Sequence, residues 1–308
     1  MQFFLKESKF FHASLTNTFH LMNSLRVASD LLSTEVERVV GAGASDEVLR
    51  ALYSPPMGAS GQNIRQFAAA GAVAREHALA ELWLFDLMGR YEFWSKSLPA
   101  LDGVRGAQFP TKDYSPHSAK SGYGDIFGQL AVDPRMSAAF LPGIEADPNF
   151  LGERVDDALL IFRLYKECRN SLSHTGGLAL PLAEVFGAEA SSRAADLHVL
   201  PDGQHVPMPV FLEDEPVRIS FQQIRCFSAI LLRLVFTLDS HMLRSPWGHA
   251  EWTRRWEANF GIRQLVTTKK KFPRWVSDYF ARIGTPAPLV TDELRDLLSV
   301  DGKVQIRP

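Results

Sequence analysis

Residues 153–174 read ERVDDALLIFRLYKECRNSLSH. Val155, Ala158, Leu159, Phe162 and Tyr165 recur at three- and four-residue intervals, with Cys168 beside them. That period predicts a helix over about 153–169 with one buried face. Arg169 lies seven residues after Phe162, close to the same stripe. A guanidinium there needs a counter-charge or a wet cleft, because an unpaired buried charge is expensive. The stretch ends Arg169-Asn170-Ser171-Leu172-Ser173-His174. It sets a permanently charged fork shaped for phosphate oxygens beside an amide, five residues before an imidazole that titrates near neutrality. Such a set suits acid–base chemistry on a phosphodiester. An arginine and a histidine at a helix end also serve simply as partners for its last carbonyls and its dipole.

Helical geometry sorts these residues. Asn170 and His174 are four apart and share a face, so the amide is expected to orient the imidazole. Arg169 and His174 are five apart, roughly 140° around the axis. They converge only through a break near Arg169, a long reach by the guanidinium, or a second copy of the motif from a partner subunit. Ser171 and Ser173 are weaker candidates for phosphate contacts. Lys166 and Arg163, about one turn earlier, extend the row of phosphate-seeking groups or are simply solvated.

Outward from this stretch the pattern is mostly helical. Leu15, Phe19, Met22, Leu25, Leu32, Val36 and Val39 predict a helix over 10–40, stopped by Gly41-Ala42-Gly43. Residues 54–58 are expected to loop. A second helical pattern runs over 63–98, with Trp83, Phe85, Phe93 and Trp94 as core or dimer-surface aromatics and Pro99 closing it. Residues 100–150 are rich in Gly, Pro, Ser and Asp and are expected to form a long loop, with a short helix over 125–130. Downstream, residues 197–219 change to a strand-like pattern around Pro201-Asp202-Gly203, predicting a β-hairpin on an exposed edge marked by Pro207 and Pro209. Ser220 and Gln223 have the spacing of a capping box. They open an apolar helix, carried by Phe221, Ile224, Phe227, Leu231, Leu234 and Leu238, that ends at Ser245-Pro246. Thr291, with Asp292 and Glu293 after it, opens a short final helix reaching Leu298.

The 308 residues are 46% apolar, enough for a sizeable core, and carry a net charge of −2. Cys168 and Cys226 are the only cysteines, too few for a disulfide framework or a zinc site. The start meets charge too early for a signal peptide. The apolar run 230–238 is interrupted by Arg233 and is short for a bilayer. These features predict a cytoplasmic protein with no membrane partner. Residues 244–282 invert the overall charge, with nine cations against three carboxylates. Lys269, Lys270, Lys271 and Arg274 are the densest part, interleaved with Trp247, Trp252, Trp256, Phe260, Phe272, Trp275, Tyr279 and Phe280. Cations for phosphates and rings for bases make an RNA-binding surface. The competing account is a helical extension whose aromatics pack on the bundle. His198 and His205 flank the expected hairpin, but no cysteine or carboxylate completes a metal ligand set, and no metal or cofactor is expected.

Arg169-Asn170, three residues, then His174, late in a helical bundle and followed by one more apolar helix, resembles the HEPN superfamily. The resemblance spans about 10–243, although the signature itself occupies six residues. It implies a mainly α, HEPN-like bundle over 1–244, with a loop insert at 100–150 and a short hairpin insert at 197–219. A basic, aromatic-rich helical extension over 245–308 lies outside the pattern. The resemblance further implies a metal-independent endoribonuclease acting as a homodimer with the two motifs facing each other. In that reading His174 takes or returns the proton, Arg169 neutralises charge on the phosphorus oxygens, and Asn170 positions His174 or the phosphate. Lys166, Ser173, Lys269, Lys270, Lys271 and Arg274 are the expected RNA contacts. A toxin or anti-phage role, with an antitoxin or defence partner, follows from the resemblance alone. The rival is a non-catalytic module of the same type that binds RNA or nucleotide, or that dimerises.

Overall fold

The computed structural model describes residues 2–53, 64–98, 130–194, 197, 199–200, 205–211, 215–262 and 264–307. The expected loop at 54–58, Pro99, the short helix at 125–129, the turn at 201–203 and His198 lie outside them.

The fold is mainly helical. In order come α1 (Lys6–Gly41), α2 (Asp46–Tyr53), α3 (Ile64–Ala69), α4 (Ala72–Ser97) and α5 (Pro134–Glu145). They are followed by a 3-10 turn (Gly152–Arg154), α6 (Val155–His174), α7 (Pro181–Ser192), α8 (Phe221–Leu243) and α9 (Pro246–Phe260). Strand β1 (Leu265–Thr268), α10 (Phe272–Arg282), α11 (Asp292–Val300) and β2 (Val304–Arg307) complete the chain. The strands pair in parallel, Leu265 opposite Val304 and Thr268 opposite Arg307.

Helix α1 buries Leu15 and Val36 of the predicted stripe, half-buries Phe19, Met22, Leu32 and Val39, leaves Leu25 exposed, and stops where expected, with Gly43 in the left-handed region at φ 87°. The pattern at 63–98 divides, because Gly71 turns out of the helical region (ψ 154°) and restarts the chain as α4. α1 and α4 pack along each other, Phe11 meeting Tyr91 and Trp94 at one end and Phe19 meeting Trp83 further along. α6 packs between α4, α7 and α8. Phe162 faces Tyr91 on one side and Phe227 on the other, while Tyr165 stacks on Phe227 at 4.4 Å.

α8 is built as read. Ser220 Oγ accepts the Gln223 amide at 3.2 Å, and Gln223 Oε1 accepts the Ser220 amide at 2.7 Å. At 23 residues the helix is long and apolar enough to cross a membrane, and most of it is buried within the protein. Its interior charges are satisfied internally. Arg233 donates to the carbonyls of Val199, Pro148 (2.8 Å) and Asn149. Buried Asp239 accepts the backbone amides of Phe4 (2.5 Å) and Leu5 (2.9 Å) just before α1 begins. It thereby takes up donors that a helix start leaves open.

Three expectations need correcting. Part of the predicted 100–150 loop is α5. Asp133 caps it through the amides of Arg135 and Met136, Pro134 fits the first turn, and Met136, Ala139, Phe140 and Ile144 bury one face. The predicted hairpin does not form a ladder among the described residues. Only the isolated bridges Leu178–Pro216 and Val210–Arg218 occur, and Val217 donates to Gly177 O at 2.7 Å. Proline at 207, 209 and 216 removes donors a ladder needs, so this segment meets itself at a single bridge and lies otherwise against the chain leaving α6. The predicted helix at 153–169 continues unbroken to His174.

The segment after 245 shares the core of the rest. One buried cluster runs from Phe3, Phe4 and Leu5 through Trp83, Tyr165 and Leu234 to Trp252, Trp256, Phe280 and Val304. Arg255 donates to Phe4 O at 2.9 Å with its guanidinium over the Phe4 ring. His249 lies 2.8 Å from Asp133 through Nδ1 and 2.8 Å from Asp301 through Nε2, joining α9 to the start of α5 and the end of α11.

Candidate active site at the end of α6

The last turns of α6 place the residues singled out above. Ser171 is fully buried and structural. Its hydroxyl donates to Glu167 O at 2.8 Å and accepts the Leu180 amide at 3.0 Å, which turns the chain from α6 towards α7. Thr175 Oγ1 donates back to Ser171 O at 2.7 Å, and Gly176 and Gly177 follow in the left-handed region. The helix therefore stops just after His174. The exposed imidazole of His174 has no hydrogen-bond or ion-pair partner among the described residues. Ser173 is exposed and its hydroxyl donates to Arg169 O at 2.8 Å.

Arg169 does not turn towards His174. Its Nη2 lies 2.5 Å from Glu92 Oε1 on α4, and its Nη1 lies 3.4 Å from Asn170 Oδ1. The Asn170 amide nitrogen donates to Glu167 Oε2 at 3.1 Å. The expected Asn170–His174 pairing is thus absent in the single chain, because Glu167, three residues back on the same face, accepts the amide first. The carboxylate that Arg169 needed is supplied by Glu92, 77 residues away in sequence. With α6 unbroken, one route to an Arg169–His174 pair is closed. The guanidinium's reach is taken up by Glu92.

Upstream, Arg163 is buried and Lys166 half-buried, so three cations lie along a short length of α6. Burial lowers the Lys166 ammonium below its usual range, Arg163 and Arg169 push the same way, and Glu167 and Glu92 oppose them. Cys168, between them in sequence, has its thiol pushed far up by burial and is no nucleophile.

Lys269, Lys270, Lys271 and Arg274 are exposed at the turn from β1 into α10. Among the described residues, Arg274 has only a 3.8 Å contact with Asp278. No hydrogen bond or ion pair joins this basic turn to the end of α6 among the described residues. The aromatic residues interleaved with it are not open to bases. Trp252, Trp256, Phe272, Trp275 and Phe280 are buried and Trp247, Phe260 and Tyr279 half-buried, so the turn offers cations without a stacking platform. Among the described residues no group of three His, Cys, Asp or Glu is arranged to hold a metal ion.

The chain matches no family model, no curated protein and no solved structure.

Glu92 is the residue that sequence reasoning missed. α4 carries several acids, and nothing in its period marks this one. Only the packing of α4 on α6 selects it.

Proposed function

We propose that the chain is a HEPN-like, metal-independent endoribonuclease whose active site is completed by a second copy. The observation that carries this is an exposed His174, without a partner among the described residues, ending the same helix that presents Arg169 and Lys166. In the composite site, one His174 takes the proton from a ribose 2′-hydroxyl. The 2′-oxygen attacks the adjacent phosphorus, the bond from phosphorus to the 5′-oxygen breaks, and the other His174 protonates that oxygen. Arg169 neutralises the charge that builds on the phosphorus oxygens. The products carry a 2′,3′-cyclic phosphate and a 5′-hydroxyl. Asn170, held by Glu167, steadies the guanidinium more directly than the imidazole.

The outer face of α1 and α4 suits the second copy. Phe10 and Phe93 are each 64% exposed beside an apolar groove of about 760 Å³, and Leu25 and Leu82 line a second groove of about 500 Å³ along the same pair of helices. Exposed apolar surface of this extent marks contact sites. Lys6, Glu7, Asp86 and Arg90 give the first groove a rim of both signs, so the surface can meet itself. Phe93 follows Glu92 directly, which brings this face to the edge of the Arg169 site. A toxin or defence role with a controlling partner is a further part of the proposal that rests on the resemblance alone.

The test is RNA cleavage in the presence of EDTA. Wild type is expected to cut, and Arg169→Ala and His174→Ala to stop. A mixture of the two variants is expected to stay inactive, because every mixed dimer holds a single His174 and the scheme uses two. Phe93→Glu is expected to give an inactive monomer. Cleavage surviving in both single variants would refute the assignment. One observation favours a second reading, a non-catalytic RNA- or nucleotide-binding or dimerisation module: Glu92 already occupies Arg169. RNA binding or dimerisation without cleavage would select it.

A further inference from the structure

We propose that Glu92 stands in for an RNA phosphate on Arg169, and so sets the affinity of the α6 cation row for a phosphodiester. The inference rests on the reading of Arg169 as a phosphate-binding residue.

Four features of the pair support it. Glu92 and Arg169 join two helices rather than neighbours along one helix. The carboxylate meets the guanidinium as a phosphate would, because both present oxygens to the same planar fork. One therefore excludes the other from Nη2. The pair lies at the surface, with Arg169 24% and Glu92 37% exposed, so an incoming strand reaches it without unfolding the core. The other nearby carboxylate is committed: Glu167 is buried and accepts the Asn170 amide at 3.1 Å. Glu92 is thus the carboxylate paired with Arg169, and Lys166 lies on the same helix as Arg169, close enough to feel both. A phosphate that takes the place of Glu92 meets the Arg169 fork first, with Lys166 nearby. Glu92 touches no reacting atom in this scheme and acts through Arg169.

The experiment measures binding of a short, labelled, 2′-O-methylated single-stranded RNA, which cannot be cut through the 2′-hydroxyl. Glu92→Gln keeps the shape of the side chain and removes its charge. It is expected to tighten binding about threefold, the scale of releasing one exposed ion pair, and to steepen the salt dependence. Glu92→Asp, which keeps the charge and withdraws the carboxylate by one methylene, is expected to fall between Glu92→Gln and wild type. Arg169→Ala is expected to weaken binding, and Glu92→Gln is expected to add nothing in the Arg169→Ala background. If Glu92→Gln binds no tighter while Arg169→Ala still weakens binding, Glu92 is only a structural partner and this inference falls alone. An equal gain with and without Arg169 would also overturn it, as a general charge effect. If Arg169→Ala binds like wild type, the phosphate-binding reading falls and takes this inference with it.

Discussion

Asp239→Asn is expected to remove a pH dependence from the stability of the fold. The carboxylate is buried on α8, accepts the amides of Phe4 and Leu5, and is also hydrogen-bonded by Ser8. Burial pushes its pKa up to about 6 from an ordinary 3.8, and the hydrogen bonds and Lys9 offset that only in part. The folded protein therefore holds this proton more tightly than the unfolded chain does. The stability it contributes is complete below the unfolded value and is lost as pH rises through about 6. The gap between 3.8 and about 6 is worth about 3 kcal/mol. Asparagine cannot ionise, and it offers one acceptor oxygen for two backbone amides, so it adds a constant offset and no slope. Urea unfolding of both proteins from pH 4 to pH 8 isolates the effect, because the other ionisable groups largely cancel in the difference. That difference is expected to move by about 3 kcal/mol in favour of the variant, nearly all of it between about pH 4 and 6. A constant difference would refute the reasoning. So would a difference in which wild type gains as pH rises, which would mean that the amides and Ser8 outweigh burial.

The corner between α8 and α9 gives a second expectation. Gly248 sits so close to the carbonyls of Met242 and Leu243 that a Cβ there would press into them. Gly248→Ala is expected to cost about 1–3 kcal/mol, read as a lower urea midpoint at unchanged slope; an unchanged midpoint would show room at that corner. At the basic turn, replacing Lys269, Lys270, Lys271 and Arg274 with glutamine is expected to weaken RNA binding across many sequences. It should also flatten the salt dependence by up to about 0.7 for each phosphate that is no longer neutralised. An identical salt slope would mean that the turn does not touch RNA.

Local signals in this chain were readable where one element carries them whole. The Ser220–Gln223 capping box, the period of α6 and the Thr291 cap each appear where their residues place them. α5 was hidden because Pro142 and Gly143 interrupt a short pattern and resemble loop composition, although Asp133-Pro134 is an ordinary helix opening. The parallel pair β1–β2 has four residues per strand and partners 39 apart, so no local turn announces it. The tail showed its aromatics and its cations equally plainly; what separates them is which face α9 and α10 turn inward, a matter of tertiary packing. At the site, the need of Arg169 for a counter-charge could be read from its place on a buried stripe. The identity of Glu92 could not, since it depends on how α4 lies against α6. The same packing explains why Asn170 serves Glu167 and not His174.

Residues 3–5 illustrate how the order of synthesis differs from the order of assembly. Phe4 and Leu5 are made long before their partners: their amides bind Asp239 and the Phe4 carbonyl binds Arg255, more than 230 positions later. At ribosomal speeds of about 5–20 residues per second, that interval is on the order of 10–50 s. Throughout it Phe3, Phe4 and Leu5 lack the partners on α8 and α9 that cover them in the folded protein. Such long-range closure is slow and leaves sticky surface uncovered in the meantime. The growing chain is thus expected to depend on chaperone cover until α9 leaves the ribosome, and truncation before residue 255 to yield aggregates in place of a smaller folded unit.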